Sequence, residues 1–377
     1  MHLLVKRFIV KVISSFLKSF WIFPIKNKRI LFLSFNGKQF SDSPKYVYDE
    51  MLKQNVDYEL IWAFDSSFDL KKYAGNNYVT KGTLHYFYLF CTSKFIIVND
   101  TTNLYMPVRK NQIFLNTWHG GGWFKKIALS CGNPSKETIY EFKQKNKQHT
   151  YFVASSEYFV NTVLLRSFEY DGKILRTGMP RNAIFYQDNV ELRTRVRNLF
   201  LKECDENSLL VLYAPTHRSY KDEIPALDVE MLINSIRKRF NKNVVVLFRA
   251  HHLIDSFDIS KDKVINVTDY PDIQELLVAA DIIMSDYSSC MWEAAIQYKP
   301  IIVYAPDAHK YIDTQGFFLD MDKWPFILGL SNEELSQKIL QFDEEKYNAD
   351  IRKLVADTKP YENANAVKAI VDLIITN

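Results

Sequence analysis

Two histidines and a pair of serines carry most of the chemistry legible in this sequence. His119 lies in Asn116-Thr117-Trp118-His119-Gly120-Gly121-Gly122-Trp123-Phe124-Lys125-Lys126, directly after an apolar run. An imidazole titrates near neutral pH, so it can take a proton from a hydroxyl. Gly120, Gly121 and Gly122 have no side chain and let the backbone approach a ligand closely. The plainer alternative for His119 is a hydrogen-bonded structural histidine. His251 lies in Phe248-Arg249-Ala250-His251-His252. There Arg249 can neutralise a phosphate, and His251 can donate a proton to a leaving oxygen. His252 is set aside, because only alternate positions of an extended chain face the same way.

The serines stand in DIIMSDYSSCMWEAAIQYKPIIVYAPD, residues 281–307. Ile282, Ile283 and Met284 form a short apolar run, and Ile301–Tyr304 another, each the pattern of a strand buried on both faces. Between them Ser288 and Ser289 open a helix-compatible stretch over residues 290–297. Such a unit puts unpaired helix N–H groups and serine hydroxyls at the carboxyl end of a parallel sheet, where α/β proteins bind anions. Glu293 follows within a turn and can reach a ribose hydroxyl. The alternative is that Ser288 only caps a helix.

Further candidates follow the same logic. Pro215, Thr216 and Arg218 come after the apolar run Leu209–Tyr213, where Thr216 and Arg218 can meet phosphate or serve as a cap and a surface charge. Arg181, in Thr177-Gly178-Met179-Pro180-Arg181-Asn182, follows a short strand and is either a ligand contact or a solvated cation. Thr268 and Asp269 precede a helix, where a base-contacting loop would lie. None of these motifs has the paired-carboxylate spacing of a divalent-metal site. No metal or other cofactor is expected, and phosphate charge is met by Arg, His and helix termini.

The elements needed to hold these groups alternate along the chain. Strands are expected at Arg29–Phe35, Tyr58–Phe64, Lys94–Asp100, Gln112–Trp118 and Tyr151–Ser155, with helices between, starting with 44–54. A second series runs through Leu209–Tyr213, Val244–Phe248, Val264–Val267, Asp281–Met284 and Ile301–Tyr304. Helical segments at 331–343 and 361–375 close the chain, and the polar, helix-like stretch Asp188–Glu203 reads as a hinge. Alternating strands and helices predict parallel sheets covered on both faces, in two Rossmann-like halves. The expected division is 1–28, 29–187 and 188–377.

Composition is that of a globular protein, 47% hydrophobic and 24% charged over 377 residues, ample for two domains. Cys91, Cys131, Cys204 and Cys290 have no metal or redox spacing and suit reduced thiols. The net charge of +4 is unevenly spread: residues 1–41 hold eight Lys and Arg and no acid, leaving 40 basic against 44 acidic residues. The body is thus mildly acidic and gives no sign of nucleic-acid binding. Residues 3–21 have helical periodicity, with Val5, Phe8, Ile9, Val12, Ile13, Phe16, Leu17 and Phe20 on one face and Arg7, Lys11, Ser14 and Lys18 on the other. Lys6, Lys11 and Lys18 make the segment too charged to span a bilayer. It suits the surface of an anionic membrane, or docking on the body or a partner.

Taken together, TWHG with its following KK, GMPRN, YAPTHR, RAHH, TDYPDIQELL and the 281–307 stretch occur in the order found in the CDP-glycerol glycerophosphotransferase family. The chain resembles that family from about residue 30 to 345. The resemblance implies a GT-B fold, two Rossmann-like domains facing across a cleft, and peripheral attachment at the cytoplasmic face of the membrane. It implies transfer of a polyol phosphate from CDP-glycerol or CDP-ribitol to a polyprenyl-linked acceptor, with release of CMP. His119 would be the base and His251 the second essential histidine. Gly120, Gly121, Arg181, Pro215, Thr216, Arg218, Arg249, Thr268, Asp269, Ser288, Ser289 and Glu293 would contact substrate.

The sequence departs from the family pattern at Gly120-Gly121-Gly122, Glu293, Gln315-Gly316-Phe317 and Trp324-Pro325-Phe326. A sugar transferase on the same fold and an inactive membrane-docked scaffold are the competing readings. Oligomeric state, polyol and acceptor are not encoded in any of these motifs.

Overall fold

The structure, a computed structural model, describes residues 2–73, 75, 77–201, 207–216, 225–249 and 264–377, with the backbone alone for residues 2–4. The described chain forms two compact units, and it passes between them more than once. Unit one comprises Met1–His119, Asn133–Ala183 and Tyr361–Asn377; unit two comprises Gly120–Gly132 and Ile184–Pro360.

Unit one is built on seven strands: β1 (Lys26–Leu33), β2 (Glu59–Phe64), β3 (Tyr78–Thr80), β4 (Ser93–Val98), β5 (Ile113–Asn116), β6 (Tyr151–Val153) and β7 (Lys173–Leu175). They lie in the order β3-β2-β1-β4-β5-β6-β7, and every pairing is parallel. Ile30–Leu33, Phe95–Val98 and Ile113–Leu115 are buried, as expected of β-rich apolar runs covered on both faces. The order reverses between β1 and β4, so their carboxyl ends part to leave a crevice.

The closing helix Ala366–Ile375 belongs to this unit and not to the second. Its Ala366, Ile370, Val371 and Ile374 are buried, and the Tyr58 hydroxyl donates to the Ile374 carbonyl at 3.2 Å. An apolar stripe at helical spacing demands a partner, and here it is the helix Asp42–Lys53.

The amino-terminal helix His2–Leu17 continues into a 3₁₀ turn at Lys18–Ile22. It is docked through part of its polar side. Arg7 donates to Glu137 at 2.8 Å and lies over the Tyr140 ring, and Lys6 pairs with Glu141. Leu17 enters the core, with Ile13 and Phe20 packed against it. Val5, Phe8, Ile9, Val12 and Phe16 stay exposed on one stripe, Phe8 at 67%. Docking and an open apolar face therefore coexist. No helix among the described residues is long and apolar enough to cross a membrane.

Unit two carries β8 (Leu209–Tyr213), β9 (Val244–Phe248), β10 (Val264–Asn266), β11 (Ile282–Ser285), β12 (Ile301–Tyr304) and β13 (Ile327–Gly329). The order is β10-β9-β8-β11-β12-β13, again all parallel, with the reversal between β8 and β11. Asp228 caps the helix Val229–Phe240, and Asn241 ends it in the left-handed conformation (φ 52°) that asparagine tolerates.

The helix-like stretch read as a hinge does form a helix, Val190–Leu201, and it is fastened to unit two. Arg193 and Arg197 donate to Asp281 at 2.5 and 2.8 Å, and Arg195 to Glu275 at 2.9 Å. Burial would raise the Asp281 pKa, but the Leu210 amide and the two arginines outweigh it and hold it down. Beside it desolvation lowers the pKa of the half-buried Lys299 to about 7, and its ammonium donates to the carbonyls of Val278 and Ala280 at 2.9 and 2.7 Å.

Candidate active site

His119 sits where β5 ends and the β1/β4 crevice opens. The Thr117 amide still donates to the Val98 carbonyl at 2.7 Å, so the ladder runs one residue past the strand. Trp118 then turns at φ 55°, a left-handed conformation costly for a bulky residue. Asn116 holds that turn: its Oδ1 accepts from the Trp118 amide at 2.8 Å. The Asn116 Nδ2 rests 3.3 Å from Nε2 of His149, which is buried against Phe114 and Phe152.

The imidazole that emerges is oriented. His119 Nδ1 lies 2.8 Å from the Asn99 carbonyl. A carbonyl only accepts, so Nδ1 carries the proton and Nε2 of the neutral ring keeps its lone pair. Asn99 is itself fixed: its Oδ1 accepts from the Phe35 amide at 2.7 Å, and its Nδ2 reaches Ser34 Oγ at 3.2 Å. Ser34 and Asn99 follow β1 and β4, the two strands of the switch point. A half-buried histidine with a fixed tautomer and an available Nε2 is equipped as a general base.

Arg181, expected to contact substrate, stands in the same unit. It is 6% exposed, its Nη1 lies 2.6 Å from Asp42 Oδ2 and 3.1 Å from the His119 carbonyl. The rest of its motif is a structural knot. Asn182 Nδ2 and the Met179 amide both donate to Glu362, at 2.8 and 2.9 Å, and Gly178 (φ 79°) would put a Cβ 2.8 Å from the Glu362 Cα.

In unit two the loops after β8 and β11 are pinned by Asp286. This buried carboxylate accepts from the Thr216 amide at 2.9 and 3.0 Å and from the Thr216 hydroxyl at 2.6 Å. Thr216 thus serves first as a loop anchor. Asp286 lies inside the serine motif yet was assigned no role from sequence, because a lone aspartate in a loop carries no spacing signal.

Ser288 and Ser289 are half-buried and reach solvent. The helix they open is short, Cys290–Ala295, and its first amides are in use. Cys290 N–H donates to Ser288 Oγ at 3.4 Å, Met291 N–H to the Ser288 carbonyl at 3.3 Å, and Trp292 N–H to the Ser289 carbonyl at 2.9 Å. The expectation of unpaired helix N–H groups is therefore corrected: the serine hydroxyls are what the loop offers. Glu293, expected at a ribose, is fully buried, as is every residue of that one-and-a-half-turn helix. Beneath the loop the Cys290 thiol is pushed up to about 11 by burial, so it stays protonated.

Gly120 and Gly122 pack on the serine loop itself: an added Cβ would stand 2.6 Å from Ser289 Oγ and 2.9 Å from Ser289 Cα respectively. The segment they begin is bound into unit two through main-chain bonds, Lys126 N–H to Gly316 at 2.9 Å and Phe318 N–H to Phe124 at 2.9 Å. Phe124 meets Trp324 and Phe326, and Phe317 bridges Tyr287 and Trp324, all at ring separations of 5.1–5.5 Å. The departures from the family pattern at 315–317 and 324–326 thus form the aromatic wall that seats the glycine segment.

Arg249 follows β9. Its Nη1 donates to the carbonyls of Val267 and Tyr270 at 3.2 and 2.6 Å, tying it to the loop that carries Thr268 and Asp269. Burial lowers its pKa from the usual very high value, and the nearby Asp272 and Asp269 work against that shift. Pro215, Thr216, Arg249, Thr268, Asp269, Ser288 and Ser289 therefore all lie at carboxyl ends of unit-two strands. Arg218 and His251 lie outside the described residues.

Two parallel, doubly wound sheets with polar groups gathered at their switch points define an α/β protein of the GT-B-like class. A family model for CDP-glycerol:poly(glycerophosphate) glycerophosphotransferase matches residues 15–376. The teichoic acid poly(glycerol phosphate) polymerase of Bacillus spizizenii is 26% identical over 97% of this chain and 97% of its own length. The teichoic acid glycerol-phosphate transferase of Staphylococcus aureus is 30% identical over 79% of this chain and 80% of its own. Against the Bacillus subtilis polymerase, 26% identical, the chain spans only 46% of the relative's length. A solved structure of the wall teichoic acid polymerase TagF, a histidine-to-asparagine variant with CDPG, matches with a TM-score of 0.82 and 26% identity, covering 99% of this chain and 95% of that one. A UDP-GlcNAc 2-epimerase of Methanocaldococcus jannaschii, TM-score 0.53 at 14% identity, shares the fold alone. The chain belongs to the CDP-glycerol:poly(glycerophosphate) glycerophosphotransferase family.

Proposed function

We propose that the protein transfers a polyol phosphate from a CDP-polyol, glycerol or ribitol, to a hydroxyl of a polyprenyl-linked acceptor, and releases CMP. The observation that carries this reading is the His119 imidazole, whose Nδ1–H is fixed on the Asn99 carbonyl so that Nε2 is the free base. Nε2 takes the proton of the acceptor hydroxyl, and that oxygen attacks the β-phosphorus of the donor. Arg249 and the hydroxyls of Ser288 and Ser289 hold the diphosphate, and His251 protonates the departing CMP oxygen. The bond broken is the phosphoanhydride, and the bond formed is a phosphodiester. Support comes from family membership and from relatives named as glycerol-phosphate and as ribitol-phosphate polymerases.

The exposed stripe Val5, Phe8, Ile9, Val12 and Phe16, with Lys11 and Lys18 also exposed, would rest on the cytoplasmic face of the membrane. Incubation with CDP-glycerol, CDP-ribitol and a panel of UDP-sugars, with membranes as acceptor, tests the assignment. CMP release coupled to lengthening of a membrane-bound product is expected. UDP release from a sugar nucleotide, or no turnover at all, would replace this reading with one of its competitors.

A further inference from the structure

Arg181 and Asp42 form a buried ion pair, 2.6 Å between Nη1 and Oδ2, with both side chains almost wholly enclosed. Arg181 is 6% exposed and Asp42 is 6% exposed, so the pair lies inside unit one. The same Nη1 lies 3.1 Å from the carbonyl of His119, and the Arg181 amide lies 3.3 Å from Ser43 Oγ. Asp42 holds φ 65°, a conformation a non-glycine residue enters at a cost, and its Oδ1 accepts from the Ser43 amide at 2.5 Å. A strained residue that presents a buried carboxylate to an arginine, which in turn grips the peptide of the candidate base, marks a supporting device.

The base is thereby held at three points. Asn116 fixes the left-handed Trp118 that precedes it, Asn99 fixes its ring, and Arg181 fixes its carbonyl. We propose that the Asp42–Arg181 pair is the positioning element for His119: it sets the peptide from which the imidazole projects, and so the angle at which Nε2 meets the acceptor hydroxyl. The planar guanidinium can serve a carboxylate and a carbonyl together, which a lysine ammonium does with less geometric control. This inference rests on the reading of His119 as the base.

The test is kcat and KM for CMP release from CDP-glycerol in Asp42→Asn and Arg181→Lys, each made in the wild-type and in the His119→Ala background. Asparagine suits the first probe because it tolerates the left-handed backbone and removes only the charge. Each substitution is expected to lower kcat about 10- to 100-fold, the scale of a small misplacement of a catalytic group, with donor KM changed less than about threefold. In the His119→Ala background neither should lower the residual rate further, since residues acting through one group are not additive.

A raised donor KM at unchanged kcat would overturn the proposal in favour of direct donor binding by Arg181. An equal fold-loss in both backgrounds would overturn it in favour of a purely structural role. Should Asp42→Asn fail to fold, Arg181→Lys, which keeps a cation against Asp42, decides alone; failure of that variant to fold would also contradict positioning. If His119→Ala alone kept near wild-type turnover, the base assignment would fall instead, and the two failures are thus told apart.

Discussion

Placing a methyl group on Gly120 or on Gly122 separates two kinds of close contact with the same serine. A Cβ on Gly120 would meet only the Ser289 side chain, Oγ at 2.6 Å and Cβ at 2.9 Å. A Cβ on Gly122 would meet Ser289 Cα at 2.9 Å and its carbonyl oxygen at 3.0 Å as well as Cβ at 3.0 Å. Carbon atoms in contact prefer about 3.5–4.0 Å, so each substitution forces a displacement of roughly half an ångström or more. Rotating Ser289 relieves the Oγ clash but not the Cβ clash. Overpacking of this kind costs about 1–3 kcal/mol, or about 2–12 °C in melting temperature for a unit of this size.

The second substitution makes the argument sharp. Ser289→Gly removes both atoms that Gly120→Ala strikes, so the double variant should melt close to Ser289→Gly itself. It leaves the main-chain atoms that Gly122→Ala strikes, so that double variant should stay destabilised. Thermal denaturation followed by circular dichroism reads the five variants beside the wild type. Equal rescue of both alanine variants, or no destabilisation by either, would show that the glycine segment does not rest on Ser289 as described.

Further outcomes follow from the same geometry. Burial pushes the His149 pKa down to about 3, below the ordinary unfolded value near 6.5, so the unfolded chain takes up the proton first and stability falls as pH drops below about 6.5. Between pH 7 and 5 the loss from this group is about 2 kcal/mol. Urea titrations at both pH values should show it in the wild type and not in His149→Gln, whose amide can still accept from Asn116; identical pH dependence would refute it. Arg249→Gln should raise donor KM about 10- to 100-fold, the scale of a lost charge-assisted hydrogen bond, and it should loosen the loop at Val267–Tyr270; an unchanged KM in steady-state assays would remove Arg249 from the diphosphate. Phe8→Glu with Phe16→Glu should reduce co-sedimentation with vesicles containing anionic lipid at least about tenfold, given about 1.5–3 kcal/mol for each buried phenylalanine; undiminished binding would exclude this stripe as the contact.

The sheets were legible where strands are long and doubly buried. Ile30–Leu33, Phe95–Val98 and Ile301–Tyr304 are unbroken apolar runs, and runs of that kind have few alternatives. The three-residue strands β3 and β13 were not read, although β6 and β10 of the same length were. The division of the chain was illegible for a different reason. Gly120–Gly132 is seated by Phe317, Trp324 and Phe326, and Ala366–Ile375 by the helix Asp42–Lys53, partners far away in sequence that no local pattern reveals.

Much the same separates the site residues that were found from those that were missed. His119, Arg249, Ser288 and Ser289 lie at strand ends, so their placement follows once the strands are read. Asp42, Asn99 and Asp286 work by gripping other residues, and only the fold brings those partners to them. Arg181 was visible as a cation in a turn, but its partner lies 139 positions away.

The rate of CMP release from CDP-glycerol by His119→Ala, measured at saturating donor with membranes as acceptor, tests the central assignment most directly. The geometry of Nδ1 on the Asn99 carbonyl leads to a fall of about 10²–10⁴-fold. Turnover within a few-fold of the wild type would mean that the acceptor hydroxyl loses its proton elsewhere.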